Sequence, residues 1–183
     1  MPRLFFGLEL PEECKGILLD LACGIPGARW QSRDQLHLTL LFLGQVEPER
    51  VPSVVTGMDG LPLEAFSLRL RGTGCFGDPE KPRNLWAGVA PEAPVAALHQ
   101  EVDRRMQGCG FAPETRDFRP HVTLARFGRR KAGSVAAFLD RNQALSTPSF
   151  IISSVSLFAS TPGKEGSRYE VFARFPLTRS QES

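Results

Sequence analysis

Apolar positions recur along the chain with two periods. Residues 64–77 alternate Phe66, Leu68 and Leu70 with Ser67, Arg69 and Arg71, the period of a half-exposed strand. Residues 3–10 (RLFFGLEL) predict a first strand ended by Pro11. Residues 11–25 predict a helix: Pro11 suits its first turn, Glu12 and Glu13 its positive end, and Ile17, Leu18 and Leu21 form a stripe. After Gly24, Pro26 and Gly27 comes a strand containing LHLTLLFLG (36–44). Residues 47–60 predict a weaker helix, interrupted by Pro52. DPEKPR predicts a turn and residues 84–90 a strand. A second round follows: a helix over 92–107 closed by Gly108-Cys109-Gly110, a strand over RPHVTLARF, and a shorter helix over 132–142. Strands over 149–160 and 168–177 flank the turn-rich TPGKEGS, and the tail TRSQES is expected to fray.

The order is strand, helix, motif strand, helix, strand, strand, then helix, motif strand, helix, strand, strand. This is a coarse internal duplication without a Pro/Gly/Ser linker. Adjacent strands joined by tight turns imply antiparallel pairing with helices packed against the sheet. The expected fold is α+β and bilobal: two pseudo-symmetric lobes of antiparallel sheet, helices on the outer faces, and a central cleft. A chain of 183 residues suits one such unit, residues 1–183.

One residue disturbs the hydrophobic pattern of LHLTLLFLG. His37 stands where a buried strand would carry another aliphatic, with Thr39 two residues on. PHVTLARF repeats the relation with His121 and Thr123. The chain has three histidines and eight threonines, so chance doubling of H-x-T-L in matching places is rare. Strand residues i and i+2 project from one face. His37 and Thr39 therefore point one way while Leu36, Leu38 and Leu40 point into the core, and His121 and Thr123 stand likewise against Val122 and Leu124. If the lobes are related by a two-fold, the pairs face one another across the cleft. Two imidazoles suit acid–base chemistry near neutral pH, and two hydroxyls can hold the oxygens of a phosphate. Phosphodiester cleavage without a metal fits such a set. His99, on a predicted helix with no threonine at +2, reads as a packing or surface residue.

The totals narrow the setting. The net charge of +2 gives no bulk attraction to nucleic acid, yet Arg116, Arg119, Arg126, Arg129, Arg130 and Lys131 crowd around His121. With Arg33 ahead of the first motif, they are candidates to hold RNA backbone. Trp30, Phe76 and Trp86 are candidates to stack a base, against a core role for each. Cys14, Cys23, Cys75 and Cys109 are scattered and form no CxxC pair, so free thiols and no zinc site are expected. The N-terminus lacks the apolar region of a signal peptide, and the longest apolar run is far short of a membrane span of roughly 20 residues. A cytoplasmic, membrane-free protein is expected.

The paired blocks HLTL and HVTL resemble the 2H phosphoesterase superfamily. RLFFGLELP, the tryptophan before LHLTLLFLG, FRPHVTLARF and the closing SLFAS…RYEVFARFPL resemble its RNA 2′,3′-cyclic phosphodiesterase branch, also called 2′-5′ RNA ligases. The resemblance spans nearly the whole chain. It implies His37 as proton donor and His121 as proton acceptor, with Thr39, Thr123 and Arg126 binding the phosphate and no cofactor. Nothing in the residues themselves separates the two histidine roles. The implied reaction opens RNA 2′,3′-cyclic phosphate ends, or small cyclic nucleotides, to 2′-phosphomonoesters. The alternatives are the reverse 2′-5′ ligation to a 5′-hydroxyl end and a non-catalytic RNA-end or nucleotide-binding module. A monomer without an obligatory protein partner is expected.

Overall fold

A computed structural model of the chain describes residues 1–128 and 132–179. Arg129, Arg130 and Lys131 of the basic cluster lie outside the described residues. The strands are β1 (Arg3–Leu8), β2 (Ala28–Trp30), β3 (Leu38–Gln45), β4 (Phe66–Asp78), β5 (Lys81–Ala90), β6 (Val122–Phe127), β7 (Phe150–Ile152), β8 (Ser154–Thr161) and β9 (Arg168–Pro176). The helices are α1 (Glu12–Leu19), α2 (Val51–Thr56), α3 (Ala93–Gly108) and α4 (Ala136–Arg141). Strand pairing is antiparallel throughout, in the order β7-β4-β5-β6-β3-β1-β8-β9, with β2 also on β6. The α+β class with antiparallel sheet and few helices agrees with the expectation.

The sheet has two arms, β3-β1-β8-β9 and β6-β5-β4-β7, joined where Leu38 pairs with Val122. An approximate two-fold at that junction exchanges β3 with β6, β1 with β5, β8 with β4 and β9 with β7. The arms are not the two halves of the chain. β4, from the first half, crosses to lie beside β5, and β8 crosses back to lie beside β1. This crossing splits the strand expected over 149–160. Ser153 separates β7, paired with β4, from β8, paired with β1.

Other boundaries shift for local reasons. The first helix stops at Leu19 rather than running to 25, because 3₁₀-type bonds tighten its end (Leu21 N–H to Leu18 C=O, 3.1 Å) and Gly24 and Pro26 cannot extend it. Pro52 sits in the first turn of the six-residue α2, where its missing N–H costs nothing. The β4–β5 hairpin pairs as far as Asp78–Lys81, shortening the expected turn to Pro79 and Glu80. Thr178, expected to fray, is tied down, since its N–H donates to Leu63 and its carbonyl accepts from Ala65 N–H.

The core lies between sheet and helices. Leu38, Leu40, Val122 and Leu124 are all fully buried at the junction of the arms, each contributing roughly 1.5–3 kcal/mol by burial. α3 packs behind β3. There His99 meets the Leu40 carbonyl through Nδ1 at 2.8 Å and stacks on Phe118, with ring centroids 4.1 Å apart. His99 is thus a packing residue. Among the described residues no helix is long and apolar enough to cross a membrane.

Candidate active site

The single pair joining the arms decides where the motifs project. Leu38 and Val122 face the core, so in antiparallel register His37 lies across from Thr123 and Thr39 across from His121, all on the opposite face. Both histidines sit one residue ahead of their strands, with each threonine the second residue of β3 or β6. The histidines stand diagonally about this pair, a spacing of about 7–8 Å for such positions in a ladder. The four residues are half-buried.

Each imidazole is oriented by the backbone two residues upstream. His37 Nδ1–H donates to the Gln35 carbonyl at 2.7 Å, and His121 Nδ1–H donates to the Arg119 carbonyl at 2.6 Å. A carbonyl only accepts, so in each neutral ring the Nε2 lone pair faces the site. His37 Nε2 meets Thr39 Oγ1 at 2.8 Å.

The surroundings differ. Phe5, Tyr169 and Phe158 enclose the His37 ring, with centroids at 4.8, 5.0 and 5.6 Å. Burial among them pushes its pKa down to about 4, against the opposing pull of the Gln35 carbonyl. His121 meets Phe76 edge-on at 4.9 Å and Trp86 at 6.2 Å, and burial lowers its pKa as well. The Arg126 guanidinium disfavours a proton on both rings, so one exposed cation addresses both motifs. Trp86 Nε1 is buried beside His121 without a hydrogen-bond partner among the described residues.

The remaining candidates divide. Phe76 and Trp86 flank His121. Trp30 instead packs on Phe138 and donates from Nε1 to the Cys23 carbonyl, a core role. Arg33 is paired with Glu12 at 2.8 Å and Arg116 with Glu114 at 3.2 Å, which takes both cations into local ion pairs. Arg119 serves through its carbonyl. Sequence reasoning missed the His37 enclosure. Its one local signal is FFG at 5–7, where Phe5 and Gly7 share a strand face: a Cβ at Gly7 would lie 2.6 Å from the Leu38 carbonyl and 3.6 Å from His37 Cδ2. Tyr169, the sole tyrosine, arrives from β9. Among the described residues no cluster of three or more His, Cys, Asp or Glu side chains could hold a metal.

The family model of the 2′-5′ RNA ligase superfamily matches residues 26–163. The RNA 2′,3′-cyclic phosphodiesterase of Geobacillus stearothermophilus is 31% identical over 179 residues, covering 94% of this chain and 56% of that protein. The Aeropyrum pernix protein of the same name is 32% identical over 139 residues, covering 75% of this chain and 79% of its own. The crystal structure of E.coli LigT complexed with 3′-AMP matches with a TM-score of 0.77 and 26% identity, over 97% of this chain and 99% of that one. The chain belongs to the 2′-5′ RNA ligase superfamily.

Proposed function

We propose that this protein is an RNA 2′,3′-cyclic phosphodiesterase that opens the cyclic phosphate to a 2′-phosphomonoester with His37 and His121 as its acid–base pair. The observation that carries the reading is the Leu38–Val122 pairing, which sets both H-x-T motifs antiparallel on one face. The relatives named for this activity support it.

His121 Nε2 takes a proton from water as its oxygen attacks phosphorus. The P–O3′ bond breaks in line with the attack, and the departing O3′ receives a proton from His37 Nε2. The phosphate stays on O2′, and the histidines exchange their protons with solvent before the next turnover. Thr39 and Thr123 donate to the non-bridging oxygens, and Arg126 offsets their charge.

The His37–Thr39 contact couples two of these roles. With His37 neutral, the Thr39 hydroxyl donates to Nε2. With His37 protonated, Nε2–H becomes the donor and the hydroxyl proton is freed for a phosphate oxygen. Burial favours neutral His37, and an anionic substrate beside the ring favours its acid form. The substrate class is RNA with 2′,3′-cyclic phosphate ends or small cyclic nucleotides. The free thiols of Cys14, Cys23, Cys75 and Cys109 suit a reducing, cytoplasmic setting.

The test is to incubate the protein with an oligoribonucleotide ending in 2′,3′-cyclic phosphate and locate the resulting monophosphate. A 2′-phosphate is expected. A 3′-phosphate, or undiminished opening by His121→Ala, overturns the assignment. A 2′-5′ linked product from excess 5′-hydroxyl RNA would show the same histidines running the reverse reaction.

A further inference from the structure

The two carbonyls that orient the histidines are themselves held differently. Arg119 is exposed, and no side-chain hydrogen bond holds it among the described residues. Gln35 is half-buried and uses every polar group it has. Its N–H donates to the Ser32 carbonyl at 3.0 Å and its Oε1 accepts from Ser32 N–H at 3.0 Å, which closes the 3₁₀ turn over Arg33–Gln35. Its Nε2 donates to the Ser167 carbonyl at 3.0 Å, across 132 residues of sequence. Its own carbonyl accepts from His37 Nδ1 at 2.7 Å.

The connection between β8 and β9 is shaped around that amide. Gly166 has φ +103°, a backbone open to glycine, and a Cβ there would lie 2.7 Å from Gln35 Nε2. A Cβ at Gly163 would lie 2.7 Å from the Gly166 carbonyl, so the connection folds tightly on itself where it meets Gln35. An imidazole hydrogen-bonded at one nitrogen takes the tautomer and direction that its acceptor imposes. With the Gln35 carbonyl fixed from two sides, Nδ1 keeps the proton and the Nε2 lone pair stays beside Thr39 Oγ1, 2.8 Å away. Around metal-bound histidines, replacing outer groups of this kind costs about 10–100-fold in affinity or activity.

We propose that Gln35 is a positioning residue for the acid–base pair: its side-chain amide clamps the 3₁₀ turn to the β8–β9 connection, and the clamp fixes the carbonyl that aims His37. The inference rests on the reading of His37 as a catalytic histidine.

Near neutral pH, above the range in which His37 titrates, the tautomer of each imidazole is read from long-range ¹H–¹⁵N correlations of the ¹⁵N-labelled full chain. The chain has three histidines, and single variants assign them. Gln35→Met keeps the length of the side chain and removes both polar ends. It is expected to turn His37 from the Nδ1–H form into a mixture of both tautomers and to leave His121 unmoved. It should also lower kcat for cyclic phosphate opening about tenfold with KM unchanged. Gly166→Ala, which leaves the motif untouched, is expected to move His37 in the same direction by less. An unmoved His37 tautomer in Gln35→Met overturns the proposal, as does an equal change in His121, which would make the effect general. A displaced tautomer with undiminished kcat overturns it too, and so does a Gly166→Ala protein that matches the unmodified one. An unmodified protein that opens no cyclic phosphate overturns the functional reading instead, and the tautomers then still decide whether Gln35 holds His37.

Discussion

Opposite Thr39 the neighbouring strand carries Gly7; opposite Thr123 it carries Trp86. The two-fold makes these positions equivalent, and the next strand out reverses the sizes. On the first arm Phe158 closes over Gly7. On the second arm the Trp86 ring lies over Gly74, where a Cβ would fall 2.3 Å from the ring. Each arm fills the space behind its motif with one large ring and one glycine, taken from opposite strands. The result is one backbone device in two settings. Both histidines hang from the carbonyl two residues back, yet His37 is tucked against Phe5, Phe158 and Tyr169, while His121 is flanked by Phe76 and Trp86. A duplicated motif can thus keep its geometry and diverge in the solvation of its two imidazoles, which lets them take unlike roles.

The largest expected effect tests whether the arms act as one unit. His37→Ala and His121→Ala should each lower kcat for cyclic phosphate opening about 10²–10⁴-fold, with the double variant little worse than either single one. His99→Ala should leave kcat within a few-fold but cost about 1–3 kcal/mol of stability, since it strands the buried Leu40 carbonyl. Additive losses from the two motif histidines would break the comparison, because independent sites add and a shared site does not.

Next comes the space behind His37. Gly7→Ala places a methyl against the Leu38 carbonyl and close to the imidazole. Overpacking should cost about 1–3 kcal/mol in urea unfolding and displace the ring enough to lower kcat. If Gly7→Ala melts and turns over like the unmodified protein, the enclosure of His37 does not position it.

How much of this was legible follows the range of the contacts. The strand period exposed the paired side chains of each motif, since i and i+2 share a face whatever the partner strand. Which strand faces which was not local information. β4 and β8 exchange arms, and Phe158 and Tyr169 reach His37 from more than a hundred residues away, so no window around the motif contains them. Arg33 looked like a groove cation because charge in a sequence carries no distant partner, and its pairing with Glu12 is a product of the fold. Arg116 differs, since its partner Glu114 stands two residues away and opposes it locally in the sequence.

The difference in solvation should be visible in stability against pH. His37 titrates near 4 in the folded protein and near its ordinary value of 6.5 when unfolded. Between those values the unfolded chain binds the extra proton, so stability is full above about pH 6.5 and is lost as pH falls toward 4. A shift of this size corresponds to about 3 kcal/mol. Solvent reaching the half-buried ring brings the expected loss to about 1–2 kcal/mol. Urea unfolding at pH 7.5 and 5.0, above the range of the carboxylates, should show His37→Gln losing less on acidification than the unmodified protein. Equal losses would mean that the enclosure does not desolvate His37.

The smallest effects separate a cation shared by the arms from one held at their edge. Arg126 opposes the protons of both histidines and stands exposed on β6, whereas Arg33 is bound to Glu12. Arg126→Ala should cost about tenfold in kcat/KM, the scale of one charge-assisted contact to a phosphate. Arg126→Lys should recover part of it, because charge is kept and the planar fork is lost. Arg33→Ala should change kcat/KM less than twofold and stability by no more than about 0.5 kcal/mol, as for an exposed ion pair. Raising salt should then weaken substrate binding in the unmodified protein and in Arg33→Ala alike, but less in Arg126→Ala. An equal salt response in all three would remove Arg126 from the phosphate site and leave the two threonines to hold the anion.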